Sequence, residues 1–270
     1  YGQVKNAFLE FAKLVPEKGH LLVNGDDRSA VEIMGQVRCN KTVYSLSDGE
    51  KDWSAANVRF EDSGFTSYTL MHRNKPVCEI QLRVPGMYNV SNSLAAIAAC
   101  SLMGCSLESA AKALSEFGGA HRRFELKGVS GGIKVIDDYA HHPSEVAATL
   151  KAARKYARSR IWCVFQPHTY SRTKFLMDGF AAAFYNADTV ILADIYAARE
   201  IDTGEVNSAM LADKIAESGK QALYIKGFDK IVEYLDKNAA PGDLIITMGA
   251  GDVYKVGDMF LNVRKGPNMG

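Results

Sequence analysis

The sequence predicts an α/β protein in two parts, the second a Rossmann-like domain built on a mainly parallel sheet. Three observations carry this. Apolar strands recur near residues 133–136, 161–165, 189–193, 222–225 and 244–247. Helical patterns lie between them, such as Val146, Leu150, Ala153 and Ala157, or Leu176, Phe180 and Phe184. That alternation implies βαβ units and parallel strands. The rhythm changes at Gly118-Gly119, which sets the expected boundary there, with domains 1–119 and 120–270.

The first part mixes its elements. Phe8, Leu9, Phe11, Ala12 and Val15 have helical spacing, and 20–24 reads as a strand ending at Gly25-Asp26-Asp27. Segments 42–46, 55–60, 66–72 and 77–84 are β-rich. Pro85-Gly86 then breaks the chain before a helix with Val90, Leu94, Ile97, Ala98 and Leu102 on one face. A second helix, about 107–117, runs into the paired glycines, as helices often do.

Of the 270 residues 47% are hydrophobic and 23% charged, ordinary values for a globular protein with one large or two modest domains. Thirty-two Lys and Arg stand against 31 Asp and Glu. No net field steers nucleic acid or an anionic membrane, so any anionic ligand is held by local groups. The five cysteines form no C-x-x-C pair and read as reduced thiols of a cytoplasmic protein. No apolar run approaches the roughly 20 residues of a membrane helix. The chain opens at Tyr1-Gly2 without a methionine and is expected to be a fragment.

Ligands of an open parallel sheet bind at the carboxyl ends of its strands. Those ends carry a polar series: Asp137-Asp138-Tyr139-Ala140-His141-His142, Gln166 to Arg172, Asp194-Ile195-Tyr196, and Met248-Gly249-Ala250-Gly251-Asp252. Three of the six histidines fall in the first two ends. Blander readings compete. Asp138 with His141 can simply cap the helix starting at Pro143. His141, His142 and His168 could ligate zinc, although no H-x-x-x-H or Cys/His spacing supports a metal site. Gly249 to Asp252 before a helix resembles an anion-binding turn, a weak signal alone. Arg122 and Arg123 after the glycine pair are either a solvated turn or a guanidinium reaching a phosphate.

Four runs match one family in order. Val84 to Ala96 resembles the Mur ligase segment PGxHNxxNxxAA, and Gly118 to Glu125 its RRFE motif. Asp137 to Pro143 resembles DDYxHHP, and Gln166 to Thr173 resembles QPHxYxRT, the last two pointing to the alanine-adding branch. Two departures stand out: Tyr88 where histidine is commoner, and Thr169 where some members have arginine. The resemblance implies the latter part of a central ATPase domain followed by a C-terminal domain. It implies ATP-dependent ligation of L-alanine to UDP-N-acetylmuramate through an acyl phosphate, with Mg2+ neutralising the transferred group, in peptidoglycan precursor synthesis. Its partners are then those small molecules, with no nucleic acid and no membrane.

By the same resemblance Asn89 and Asn92 face the adenine, Asp138 accepts from the ribose, and Arg123 reaches the ATP phosphates from the junction as the domains close. Tyr139, His141 and Arg172 hold the muramoyl and alanine groups, with Arg123, His141 and Arg172 catalytic. Arg122, pointing elsewhere, is expected to tolerate lysine. No G-x-x-x-x-G-K-[ST] loop occurs, so the chain alone is expected to be inactive. Two alternatives stay open: a recycling ligase that attaches a murein tripeptide to the same nucleotide sugar, and a non-catalytic nucleotide-binding module.

Overall fold

The computed structural model describes residues 2–61 and 65–264, and the chain divides into two compact units, Tyr1–Gly118 and Gly119–Gly270. In the first, α1 (Gly2–Lys13) leads to β1 (His20–Asn24), α2 (Arg28–Met34) and β2 (Asn40–Ser45). Then come β3 (Trp53–Phe60), β4 (Thr66–His72), β5 (Lys75–Leu82), α3 (Met87–Leu102) and α4 (Leu107–Glu116). The five strands lie in sequence order, β1 to β3 parallel and β3 to β5 antiparallel. Tyr68, Leu70, Ile80 and Leu82 alternate inward along β4 and β5 and meet Val90, Leu94, Ile97 and Ala98 of α3. The periods of two and of 3.6 thus describe one core.

The second unit contains β6 (Glu125–Ser130), β7 (Ile133–Asp138), α5 (Pro143–Tyr156), β8 (Ile161–Phe165), α6 (Tyr170–Phe175) and α7 (Met177–Ala183). It continues with β9 (Thr189–Leu192), α8 (Ser208–Glu217), β10 (Gln221–Tyr224), α9 (Phe228–Asn238), β11 (Leu244–Met248) and α10 (Tyr254–Arg264). Its strand order is β10-β9-β8-β11-β7-β6, parallel except for β6. All residues of β8, β9 and β11 are buried, which explains why they are apolar but for Thr189 and Thr247. The last strand in sequence, β11, lies between β8 and β7, so the ends of β7, β8 and β11 adjoin one another.

Several elements differ from the sequence expectation. The β6 edge strand was not foreseen: Leu126 and Val129 are half exposed, and Gly128 interrupts its pattern. It is joined to β7 through Gly131-Gly132, with φ of 56° and 76°. Positive φ at both central residues is what a two-residue hairpin loop requires. The helix expected across Leu176, Phe180 and Phe184 is two short helices, broken where Leu176 takes φ −106° and ψ 17°. Helices α2, α8 and α9 also went unremarked. The five cysteines are unpaired thiols.

At the amino ends of the strands, Asp243 accepts from the backbone N–H of Ala240 and Arg160, from Trp162 Nε1 and from the Arg160 guanidinium. Burial alone would raise its pKa, but these donors outweigh it and hold the carboxyl below its ordinary value. A depressed folded-state pKa contributes stability above the unfolded value and loses it as pH falls through the folded one. Asp243→Asn is therefore expected to destabilise the protein at pH 7 and to flatten the loss of stability below about pH 4. Denaturation midpoints measured across pH check this. Phe180 is fully buried against Phe165, ring centroids 5.3 Å apart. Phe180→Ala is expected to cost about 3–5 kcal/mol in chemical denaturation.

Candidate functional site

The strand ends of the second unit are tied together by Arg122. Its Nε donates to Asp137 Oδ2 at 3.0 Å, one terminal nitrogen to the Gly251 carbonyl at 2.9 Å, and the other to the Gly249 carbonyl at 2.6 Å. The guanidinium lies between two rings, 5.0 Å from the Tyr139 centroid and 4.9 Å from that of Tyr254. Its side chain is 13% exposed. Asp137 is buried and also accepts from Thr247 Oγ1 at 2.6 Å. This geometry argues against the expectation that Arg122 tolerates lysine. A lysine ammonium is a point donor and cannot bridge one carboxylate and two carbonyls in a plane. Breaking a buried pair leaves an uncompensated charge.

Arg123 is exposed, with its guanidinium 5.6 Å from the same Tyr139 centroid. Its two neighbours, Arg122 and Phe124, have φ of 58° and 49°, the left-handed region that non-glycine residues rarely occupy. Each such residue stores about 1–3 kcal/mol, which the surroundings must over-determine.

Asp138 is buried. Its Oδ2 accepts from the Phe124 N–H at 2.8 Å, and its Oδ1 from the Ala140 N–H at 2.8 Å and Thr149 Oγ1 at 3.3 Å. Burial raises its pKa, against these donors and the Arg123 charge. Three donors leave a carboxylate capacity for about one more. Asp138 thus braces the Arg123 turn whatever else it binds.

His141 Nδ1 lies 2.9 Å from the Tyr139 carbonyl and 3.5 Å from Glu145. A carbonyl only accepts, so Nδ1 is the donor of that contact. His141 faces His168 at 5.9 Å between centroids, and His168 stacks on Tyr196 at 5.5 Å. Arg172 approaches His168 Nδ1 at 3.4 Å. Burial first, then Arg172 and His141, push the His168 pKa down, so this ring is neutral at pH 7. His142 is separate: it is exposed and caps α5 through Ser144, with Glu145 completing the capping box. The trio considered for zinc is thereby split. Among the described residues no three His, Cys, Asp or Glu side chains gather as a metal group.

The Gly249 to Asp252 turn is not an open anion site. Gln166 Oε1 already accepts from the Asp252 and Val253 N–H groups at 2.9 and 3.1 Å, while its Nε2 donates to Asp252 Oδ1. Gly251 is required because a Cβ would collide with that Gln166 oxygen and come 2.7 Å from the Tyr196 ring. Sequence reasoning had not assigned Gln166, Tyr196, Tyr254 or Arg122 to the site. The first two lay inside its strand-end series, but nothing in spacing says which side chain turns inward.

In the first unit, Asn89 and Asn92 sit in the opening turns of α3, three residues apart and so on one face. Asn89 Nδ2 donates to the Pro85 carbonyl at 2.8 Å. Asn92 is exposed.

Residues 1–100 match the Mur ligase middle domain, and residues 122–251 match the Mur ligase glutamate ligase domain. The chain is 56% identical to the UDP-N-acetylmuramate–L-alanine ligase of Acetivibrio thermocellus over 97% of its own length, and 48% identical to that of Clostridium novyi. It spans only 56% of the length of either relative. A solved UDP-N-acetylmuramate–alanine ligase from Thermotoga maritima superposes with a TM-score of 0.72 at 25% identity, covering 95% of this chain and 61% of that one. The MurF ligase of the same organism, solved with ADP, shares the fold at 14% identity and a TM-score of 0.74, covering 98% of this chain and 58% of its own. The order of motifs, the parallel sheet and these matches agree: the chain belongs to the Mur ligase family.

Proposed function

We propose that this chain is the part of a cytoplasmic ATP-dependent ligase that binds nucleotide and receives the amine, joining L-alanine to UDP-N-acetylmuramate in peptidoglycan precursor synthesis. Residues 1–119 then belong to the latter part of the central domain and 120–270 form the C-terminal domain. One observation carries the chemistry: an exposed guanidinium, Arg123, sits at a strained turn over the Tyr139 ring, from which contacts run in series through His141 and His168 to Arg172. Identities of 56% and 48% to relatives named for alanine favour it over the murein tripeptide as acceptor.

A carboxylate has no good leaving group, so it is first activated as an acyl phosphate. The alanine amine then attacks, and the tetrahedral intermediate expels phosphate. Catalysis is mostly positioning and stabilisation of developing oxyanions. Arg123 supplies bidentate donors to phosphoryl oxygens. Arg172 offers the same geometry to a carboxylate, and the neutral His168 beside it adds no competing charge. His141 presents Nε2 to the amine, whose ammonium form must lose a proton before attack. Tyr139 walls the space between Arg123 and His141. Asn89 and Asn92 offer amide donors and acceptors to a purine edge, and Asp138 its remaining acceptor capacity to a ribose hydroxyl. A magnesium ion bound with the ATP phosphates would neutralise the transferred group, held largely by phosphate and water oxygens.

The direct test is ligation by the full-length protein, with UDP-N-acetylmuramate, ATP and either L-alanine or the tripeptide, and the product identified by mass. Preference for the tripeptide would transfer the chain to the recycling reaction. Nucleotide binding without turnover would make it a binding module.

Two substitutions probe the residues. Arg123→Lys keeps the charge and loses the fork, so kcat is expected to fall roughly 10²–10³-fold with little change in ATP affinity. An unchanged kcat in steady-state assays would remove Arg123 from the reaction. Asp138→Ala is expected to weaken ATP binding by about 1.5–3 kcal/mol and, because Asp138 braces the turn, to lower the denaturation midpoint as well. Loss of stability with unaltered ATP affinity in calorimetry would leave Asp138 a structural brace only.

A further inference from the structure

An exposed arginine ordinarily spreads over many rotamers, yet the backbone of Arg123 is fixed on both sides. On one side Phe124 is buried, its ring edge-on to Tyr156 at 6.0 Å, and its N–H donates to Asp138. On the other, Arg122 turns inward to Asp137, Gly249 and Gly251, and its own carbonyl accepts from the Tyr139 N–H at 2.7 Å. The Arg122 N–H donates to Glu125 Oε2 at 2.8 Å, and that of Arg123 to the Ala120 carbonyl at 3.0 Å. Both flanking residues take left-handed φ, and at this turn Arg122 is partly buried while Arg123 is exposed. The three acceptors of the Arg122 guanidinium add to these backbone bonds in holding Arg122 in that conformation.

We propose that Arg122 is a positioning residue that acts through Arg123: it anchors the strained turn that aims the Arg123 guanidinium. This rests on the reading of Arg123 above. Arg122 touches no substrate in this account. The Tyr139 ring, 5.0 and 5.6 Å from the two guanidiniums, couples them further. Misplacing a reacting group by about 1 Å costs on the order of 10²-fold in rate, so loosening the anchor should appear in kcat.

The experiment is a double-mutant cycle in the full-length ligase, with Arg122→Lys, Arg123→Lys and the double variant. In the wild-type background Arg122→Lys is expected to lower kcat about 10- to 100-fold with the ATP KM nearly unchanged. In the Arg123→Lys background the same change is expected to cost less than about threefold, since residues acting as one unit are not additive. A purely structural role predicts equal factors in both backgrounds, and that result, or an unaffected kcat, overturns the proposal. If Arg123→Lys itself leaves kcat intact, the reading of Arg123 fails and the proposal with it. A large Arg123→Lys effect with additive Arg122→Lys sinks the positioning role alone. Should Arg122→Lys lose its near-ultraviolet circular dichroism, Asp137→Asn loosens the same anchor more mildly and is expected to show the same non-additivity. Loss of fold in both variants would make the anchor structural only and would also overturn the idea.

Discussion

One guanidinium holds two adjacent strand ends of the second unit in register. Arg122 reaches Asp137 at the end of β7 and the carbonyls of Gly249 and Gly251 beyond β11. These strands are hydrogen-bonded neighbours, and their carboxyl ends are where a parallel sheet leaves backbone groups unpaired. A buried charge is tolerated only when its partners are complete. Here three of its nitrogens are engaged and both of its faces lie against rings. The turn after β11, the Tyr139 ring and the neighbouring Arg123 take their places from that contact.

Gln166 performs a similar task from β8. Its carboxamide occupies the first amides leading into α10, donors that an anion would otherwise use. Those amides are therefore not open to an anion. The exclusion of a side chain at Gly251 follows from the same contact, since that space holds the Gln166 oxygen and the Tyr196 ring. A glycine that reads in sequence as a phosphate-binding turn is here a packing requirement.

Much of the fold was legible because burial is nearly complete where the sheet is parallel. Strands β8 and β11 appear as apolar runs, and α3 and α5 as clear 3.6-residue periods. The edge strand β6 was illegible for the opposite reason. None of its residues is buried and its two large apolar ones, Leu126 and Val129, are exposed, so neither its composition nor its alternation separates it from a loop. The break at Leu176 was hidden too, because Leu176, Phe180 and Phe184 keep one spacing across two short helices. The candidate site divides in the same way. Strand ends identify which segments converge, since topology dictates that. Which of two adjacent arginines turns inward depends on a φ of 58° at Arg122, and no periodicity encodes a single left-handed residue.

The charges around the site are consistent with one another. Two histidines, two outward-reaching arginines and two buried aspartates share one end of a sheet. Each Asp is matched at short range, Asp137 by Arg122 and Asp138 by backbone amides and Thr149. Neither competes with a ligand for Arg172, whose near neighbour His168 is kept uncharged by burial and by that arginine. Protonating His168 would place a second cation 3.4 Å from the first, at a cost that Glu200 only partly offsets. The internal negative charge is therefore spent on the scaffold, and the positive charge of Arg123 and Arg172 remains available outward. The ligation proposed above, which moves phosphoryl and carboxylate groups, would draw on that asymmetry, in a chain whose net charge is only +1.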